Sequence, residues 1–150
     1  MQIKILVVDD DVNVLTTFSK SFTTIMSGYL VLTATSANAG IIMMKSERPD
    51  VIVLDVRLGP ISGMDLLRDF NWWLDENKIL DRPRFVVMTA YPDEAAKREA
   101  LEKYKVDAFV MKPFEPKEIR RQVLRSVLRV LERKRQSVLG FLSPEERESL

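Results

Sequence analysis

Short apolar runs alternate along this chain with longer segments in which apolar residues recur every three or four positions. Ile3-Lys4-Ile5-Leu6-Val7-Val8 reads as a buried strand, and Leu15, Phe18, Phe22 and Ile25 then recur at helical spacing up to Gly28, a helix terminator. Tyr29 to Thr33, β-branched and apolar, predicts a second strand. Ala37 to Ser46, with Ile41, Ile42 and Met44, predicts a short helix closed by Pro49. Val51 to Leu54 is the third strand. The turn signal Gly59-Pro60 follows it, and then a helix from Gly63 through Leu66, Leu67 and Phe70 to Trp72-Trp73. Phe85 to Met88 reads as a fourth strand, Asp93 to Tyr104 as a polar helix and Ala108 to Met111 as a fifth strand. A long last helix starts near Pro116 and runs to about Arg135. Strands and helices in strict alternation predict an α/β fold with a parallel sheet covered on both faces, because parallel strands need helical crossovers.

Two of these strands end in acid. Asp9, Asp10 and Asp11 follow the first and Asp55 follows the third. In an open parallel sheet the crevice lies outside the carboxyl ends of the strands, so these carboxylates converge although distant in sequence. Clustered carboxylates repel, and a hard divalent cation relieves them, with Mg²⁺ favoured where a phosphate supplies further oxygen ligands. A bland role competes for Asp11, since an acid after a strand often caps the next helix. One cap cannot use three acids, so Asp9 and Asp10 need another explanation.

Composition narrows the chemistry. The 150 residues are 46% apolar, enough for one ordinary domain, and the net charge of +1 points to no partner by itself. The chain has no cysteine, which excludes disulfides and thiolate metal sites. It has no histidine, which excludes a histidine base and a histidine phosphodonor. No basic leader precedes a cleavable apolar segment and no apolar stretch spans a bilayer, so the expectation is a cytoplasmic protein without membrane contact.

Five features in order give the chain a specific resemblance: the acids after the first strand, Asp55 after the third, Thr89-Ala90 after the fourth, Phe109 in the fifth, and Lys112-Pro113 beyond it. Over roughly residues 3 to 128 it resembles a response-regulator receiver domain of two-component signalling, in the CheY-like superfamily. The resemblance implies a doubly wound, flavodoxin-like fold with strand order 2-1-3-4-5, five flanking helices and an extended C-terminal helix. It implies that Asp55 is the phosphoacceptor and that Mg²⁺ is held by Asp9, Asp10, Asp55 and the backbone carbonyl of Arg57. Lys112 would pair with Asp55 and then with the phosphoryl group, while Thr89 would offer its hydroxyl and Phe109 would turn inward as the switch. Arg57 and Tyr91 would tune hydrolysis, and a cis peptide is expected at Lys112-Pro113. The implied partners are a sensor histidine kinase or phosphotransfer protein and a second copy, through the fourth-helix, fifth-strand and fifth-helix face. Chemistry is limited to Mg-dependent self-phosphorylation and autodephosphorylation, so the chain is not expected to be an enzyme in the ordinary sense. The alternative is a receiver fold used for dimerisation or scaffolding without phosphorylation, which would have no need of Asp9, Asp10, Asp55, Thr89 and Lys112 together. An aspartyl phosphatase of the haloacid dehalogenase class would want an Asp where Arg57 stands.

The pattern departs from the family in places. Gly59 stands where proline is common, with Pro60 after it. The stretch from Asp55 to Thr89 is some four residues longer than is usual in the family, the excess falling in Trp72 to Arg82. Tyr104-Lys105-Val106 lacks the usual glycine and is about one residue longer. Trp72-Trp73 is expected to anchor its helix, with one indole exposed. From Glu115 to Arg135 eight basic residues face three acidic ones, beside an apolar stripe through Ile119, Val123, Leu124, Val127, Leu128 and Leu131. The helix reads equally as an amphipathic linker or as the start of a short coiled coil continuing to Val138 and Leu142. Gly140-Phe141-Leu142 breaks it. Ser143-Pro144-Glu145-Glu146 is then a helix start resembling the opening of a LuxR or FixJ-type helix-turn-helix output domain. The expected division is a receiver over 1–128 and, over 129–150, a helical extension or the start of a truncated output domain, which alone would contact DNA.

Overall fold

The computed structural model describes residues 2–23, 28–91 and 93–150. Five strands, β1 (Ile3–Val8), β2 (Tyr29–Ala34), β3 (Val51–Asp55), β4 (Arg84–Thr89) and β5 (Ala108–Met111), form one sheet in the order β2-β1-β3-β4-β5. Every pairing is parallel, with Ile5 opposite Val51, Asp55 opposite Met88 and Thr89 opposite Met111. β3 is buried along its whole length, as its unbroken apolar run requires of a central parallel strand.

Helices α1 (Val12–Thr23), α2 (Ala37–Glu47), α3 (Gly63–Glu76), α4 (Glu94–Arg98) and α5 (Pro116–Leu139) cover the two faces. On one face Leu15, Phe18 and Phe22 of α1 and Ile119, Val123, Val127 and Val130 of α5 pack on Ile5, Val7, Val53 and Met88. On the other Met44 of α2 and Leu66, Leu67, Phe70 and Leu74 of α3 pack on Leu6, Val8, Ile52 and Val87. Alternate residues of each strand thus serve opposite cores, the period-two rule acting on a two-sided sheet. Of the expected face of α1, Ile25 lies outside the described residues.

Local departures from the family pattern have local causes. Gly59 takes φ 82° in a two-residue turn joining the short antiparallel pair Arg57–Leu58 and Ile61–Ser62, so the glycine supplies a backbone that a proline there would forbid. The extra residue before β5 is absorbed in a π-type turn, Glu99–Lys103, which brings Ala100 into the core. Lys105 adopts φ 56°, taking the left-handed position that the absent glycine would fill. α3 runs past the two tryptophans: Trp73 stacks on Phe70 with centroids 5.6 Å apart, while Trp72 is exposed. α5 continues as one helix to Leu139, and Val130, Arg133 and Lys134 of its distal half engage the body. A last short helix, α6 (Pro144–Glu148), opens with the expected reciprocal cap of Ser143 and Glu146. Among the described residues no helix is long and apolar enough to cross a membrane.

Candidate functional site

The carboxyl ends of β1, β3, β4 and β5 meet at one end of the sheet. Asp9 and Asp10 leave β1, Asp55 ends β3, and oxygens of the three carboxylates lie within 4.8 Å of one another. Asp9 is fully buried, Asp55 nearly so, and Asp10 is exposed. Asp11 turns away and caps α1, its Oδ1 accepting from the Asn13 amide at 2.9 Å, which is the bland role weighed for it.

Lys112 reaches this cluster from the turn after β5, where the Lys112-Pro113 peptide is cis as expected. Its Nζ donates to Asp9 Oδ2 at 2.5 Å and to Asp55 Oδ2 at 3.0 Å. Pairing with Asp55 was anticipated; the shorter bond to Asp9 was not. The remaining oxygens are also engaged. Asp9 Oδ1 accepts from the Asp11 amide at 2.9 Å and Asp55 Oδ1 from the Arg57 amide at 3.1 Å. Burial raises the Asp9 carboxyl above its ordinary range, against the lowering pull of Lys112 and the Asp11 amide, and the neighbouring Asp55 adds to the rise. Burial works against the charge on Lys112, yet its hydrogen bonds to Asp9 and Asp55 outweigh it and hold the ammonium above its usual value. One lysine therefore serves two carboxylates, and a third stands beside them. Hard oxygen donors in excess of cationic charge are what Mg²⁺ prefers, so the residues present fit that ion.

Thr89 lies at the end of β4, buried, with its hydroxyl turned to the following loop. Oγ1 donates to the Tyr91 carbonyl at 2.9 Å and accepts from the Tyr91 amide at 3.1 Å. The Tyr91 ring in turn lies under the Arg57 guanidinium, 3.9 Å from its centroid, so the two side chains flanking Asp55 touch each other. No sequence signal pairs a residue two after Asp55 with one two after Thr89; only the sheet register does. Phe109 of β5 is half-buried against the α3 core.

Gly63 fixes the floor of the site. Its amide donates to the Val56 carbonyl at 2.6 Å, and a Cβ here would lie 2.0 Å from the Asp55 carbonyl oxygen. Glycine is required because the start of α3 passes directly over the backbone of Asp55. Beside the site a cavity of about 550 Å³ opens between α1 and the loops after β4 and β5, lined by Asp11, Thr17, Tyr91, Lys112 and Phe114.

Comparison with known proteins agrees with this geometry. The alkaline phosphatase synthesis transcriptional regulatory protein PhoP of Bacillus subtilis is 33% identical over 129 residues, 86% of this chain and 50% of that protein. The transcriptional regulatory protein KdpE of Mycobacterium tuberculosis is 35% identical over 111 residues, 73% of this chain and 44% of that protein. This chain thus spans about half the length of the curated relatives it matches. The crystal structure of a CheY-like receiver domain protein from Methanospirillum hungatei superimposes with a TM-score of 0.76 at 21% identity, covering 89% of this chain and 99% of that one. Residues 5–124 match the response regulator receiver domain, and the chain belongs to that family of two-component signalling proteins.

Proposed function

We propose that this chain accepts a phosphoryl group from a histidine kinase or phosphotransfer protein onto Asp55, in a Mg-dependent reaction, and thereby switches a surface that controls an output or partner. The observation that carries this reading is the bridge from Lys112 to both Asp9 and Asp55 inside a cluster of three carboxylates. A scaffold would have no reason to bury such a charge arrangement, because buried ion pairs are weak contributors to stability.

Asp9, Asp10 and Asp55, with the Arg57 backbone carbonyl, would hold Mg²⁺, which when bound neutralises charge on the transferring oxygens. An oxygen of Asp55 attacks phosphorus in line, the bond from phosphorus to the donor nitrogen breaks, and an acyl phosphate remains on the side chain. Lys112 transfers its hydrogen bond from Asp55 Oδ2 to a phosphoryl oxygen, keeping Asp9 as its second partner. Thr89 leaves the Tyr91 backbone for the phosphoryl group and Phe109 turns into the space it vacates. The stacked pair Arg57 and Tyr91 governs the approach of water and so the lifetime of the phosphate. The cavity beside Lys112 and Phe114 is the approach for the donor.

Residues 1–128 form the receiver and 129–150 a helical extension or the opening of an output domain of LuxR or FixJ type. Any DNA contact belongs to such a domain, in keeping with relatives that are transcriptional regulators about twice as long. The α4–β5–α5 face, with Leu101 and Met111 exposed, is the proposed dimer surface. Sedimentation with and without a phosphoryl mimic checks it, and an unchanged mass counts against it. The central test is intact mass after incubation with Mg²⁺ and a small acyl-phosphate donor. A gain of one phosphoryl group, absent in Asp55→Asn and with chelator, is expected. No gain in folded protein, with the small donor or with a cognate kinase, sinks the reading.

A further inference from the structure

The end of the sheet opposite Asp55 carries a second charged pocket that phosphoryl transfer does not use. Arg84 and Thr89 are the two ends of β4, so the pocket lies about 17 Å from the acceptor end at the usual rise per residue. It has a volume of about 300 Å³ and opens where the α3–β4 loop, the α4–β5 loop and the distal half of α5 meet. Five lining side chains are cationic, Arg82, Arg84, Lys103, Lys105 and Arg133, and among the described residues no carboxylate lines it.

Cations at this density repel, and the protein restrains them from outside the lining. Asp75 holds Arg82, Asp107 holds Arg84 at 2.5 Å, and Asp81 holds Arg133 at 2.7 Å. The guanidinium forks are thus fixed with donors to spare. Arg82 and Arg84 use Nε and Nη2, and Nη1 of each has no hydrogen bond among the described residues. Lys103 lies over the Tyr104 ring, 5.4 Å from its centroid. Neither Lys103 nor Lys105 has an ion-pair partner among the described residues. Lys105 is moreover held in the left-handed conformation, which costs a side-chain-bearing residue free energy that a glycine would not incur. Leu74 and Phe85 give the pocket an apolar floor.

We propose that this pocket binds a small anion bearing two or more phosphoryl groups. With the three arginines already paired to aspartates, Lys103 and Lys105 supply two cationic charges that one carboxylate would not satisfy, whereas these ammonium groups and the spare guanidinium N–H donors together match a polyphosphate's charge and its many oxygens. The volume lies at the lower end of small-molecule sites, enough for a diphosphate with a small organic group on the apolar floor. Arg82 sits on the α3–β4 loop and Arg133 on α5 beyond the sheet, so the ligand would tie the helical extension to the body independently of Asp55.

Titration calorimetry of the full chain with inorganic pyrophosphate tests this, in the presence of chelator and at physiological ionic strength. Asp55→Asn run in parallel keeps the acceptor site out of the signal. Saturable one-to-one binding is expected in both, weakened about tenfold or more by Lys103→Gln combined with Lys105→Asn. Both positions are exposed, and Asn tolerates the left-handed backbone at 105, so the variant should fold. Lys117→Gln with Arg121→Gln, on the proximal part of α5, should bind as the native chain does. Absence of saturable heat overturns the proposal, as does equal loss in the control pair. Equal affinity for sulfate overturns it too, marking an adventitious ion only. Binding of an acidic peptide or an oligonucleotide through the same lysines, with pyrophosphate inert, would replace it.

Discussion

Asp107, immediately before β5, tests how β4, β5 and α5 are held together. Its side chain is 5% exposed and accepts four hydrogen bonds: from Arg84 Nε at 3.0 Å and Nη2 at 2.5 Å, from Ser126 Oγ at 2.6 Å, and from Arg129 Nη1 at 2.6 Å. One carboxylate thus ties β4, β5 and α5 together. Asp107→Ala leaves the Arg84 guanidinium, 34% exposed, without its counter-charge. Breaking a buried pair costs about 3–5 kcal/mol, and the partial exposure of both arginines reduces this to about 2–4 kcal/mol. Arg129→Ala, at a side chain 55% exposed, should cost about 0–1 kcal/mol. Urea unfolding of the singles and doubles should therefore give a coupling for Asp107 with Arg84 above about 1 kcal/mol, and with Arg129 below about 0.5 kcal/mol. Burial alone would raise the Asp107 carboxyl, but the bonds from Arg84 and Ser126, and Arg129 after them, hold it below its ordinary value of 3.8. A lowered folded-state value stabilises the fold above the unfolded value, and that stabilisation is lost as pH falls through the folded one. The gap between native chain and Asp107→Asn should therefore be constant near neutrality and close in acid, below the ordinary value. An Asp107→Ala chain within about 0.5 kcal/mol of native, or an Arg129 variant as costly as the Arg84 variant, would refute the reasoning.

Lys105→Gly should raise the unfolding free energy read from urea titration by about 0.5–1 kcal/mol, because the φ of 56° suits glycine better than any side-chain-bearing residue; Lys105→Val should lower it. Mg²⁺ should raise the melting temperature, by the equivalent of about 2.7 kcal/mol at a hundred times its dissociation constant, and Asp10→Asn should remove most of that gain. Differential scanning calorimetry with and without chelator reads the effect, and an equal gain in Asp10→Asn would argue against the acid cluster as the site.

The fold was legible because it rests on period: unbroken apolar runs for two-sided strands, three-and-four spacing for the helices over them. The acid cluster was legible for a topological reason, since the carboxyl ends of β1 and β3 must be neighbours once the sheet is parallel. What escaped depends on register between distant segments. Arg57 meets Tyr91 only because β3 pairs with β4, and Lys112 reaches Asp9 as well as Asp55 only because the turn after β5 opens at the same end of the sheet as β1 and β3. Asp107 is one acid among 22 in the sequence, and nothing local marks it as the buried node of Arg84, Ser126 and Arg129. Lys105 hides its role because a lysine in the left-handed region looks like any surface lysine until φ is known.

The energetics of Thr89 bear on how sharply the switch can act. In the state described here its hydroxyl makes two bonds to Tyr91, each worth about 0.5–1.5 kcal/mol net. On the proposed reading it exchanges them for one bond to a charged phosphoryl oxygen, worth about 1.5–3 kcal/mol. Even at the favourable ends of these ranges the exchange gains no more than about 2 kcal/mol, so Thr89 alone falls well short of the roughly 5.5 kcal/mol that carries a population from one extreme to the other. The remainder must come from the phosphoryl contact with Lys112 and from burial of Phe109, which is half-buried already and has correspondingly little left to gain. Thr89→Ala should therefore still gain mass on Asp55 while its amide-exchange response across β5 and α4 weakens, by no more than about thirtyfold in equilibrium terms; Thr89→Ser should retain the native response. A Thr89→Ala chain whose exchange pattern after phosphorylation matches the native one would show that the hydroxyl is only a cap on the Tyr91 loop, with the switching energy supplied elsewhere.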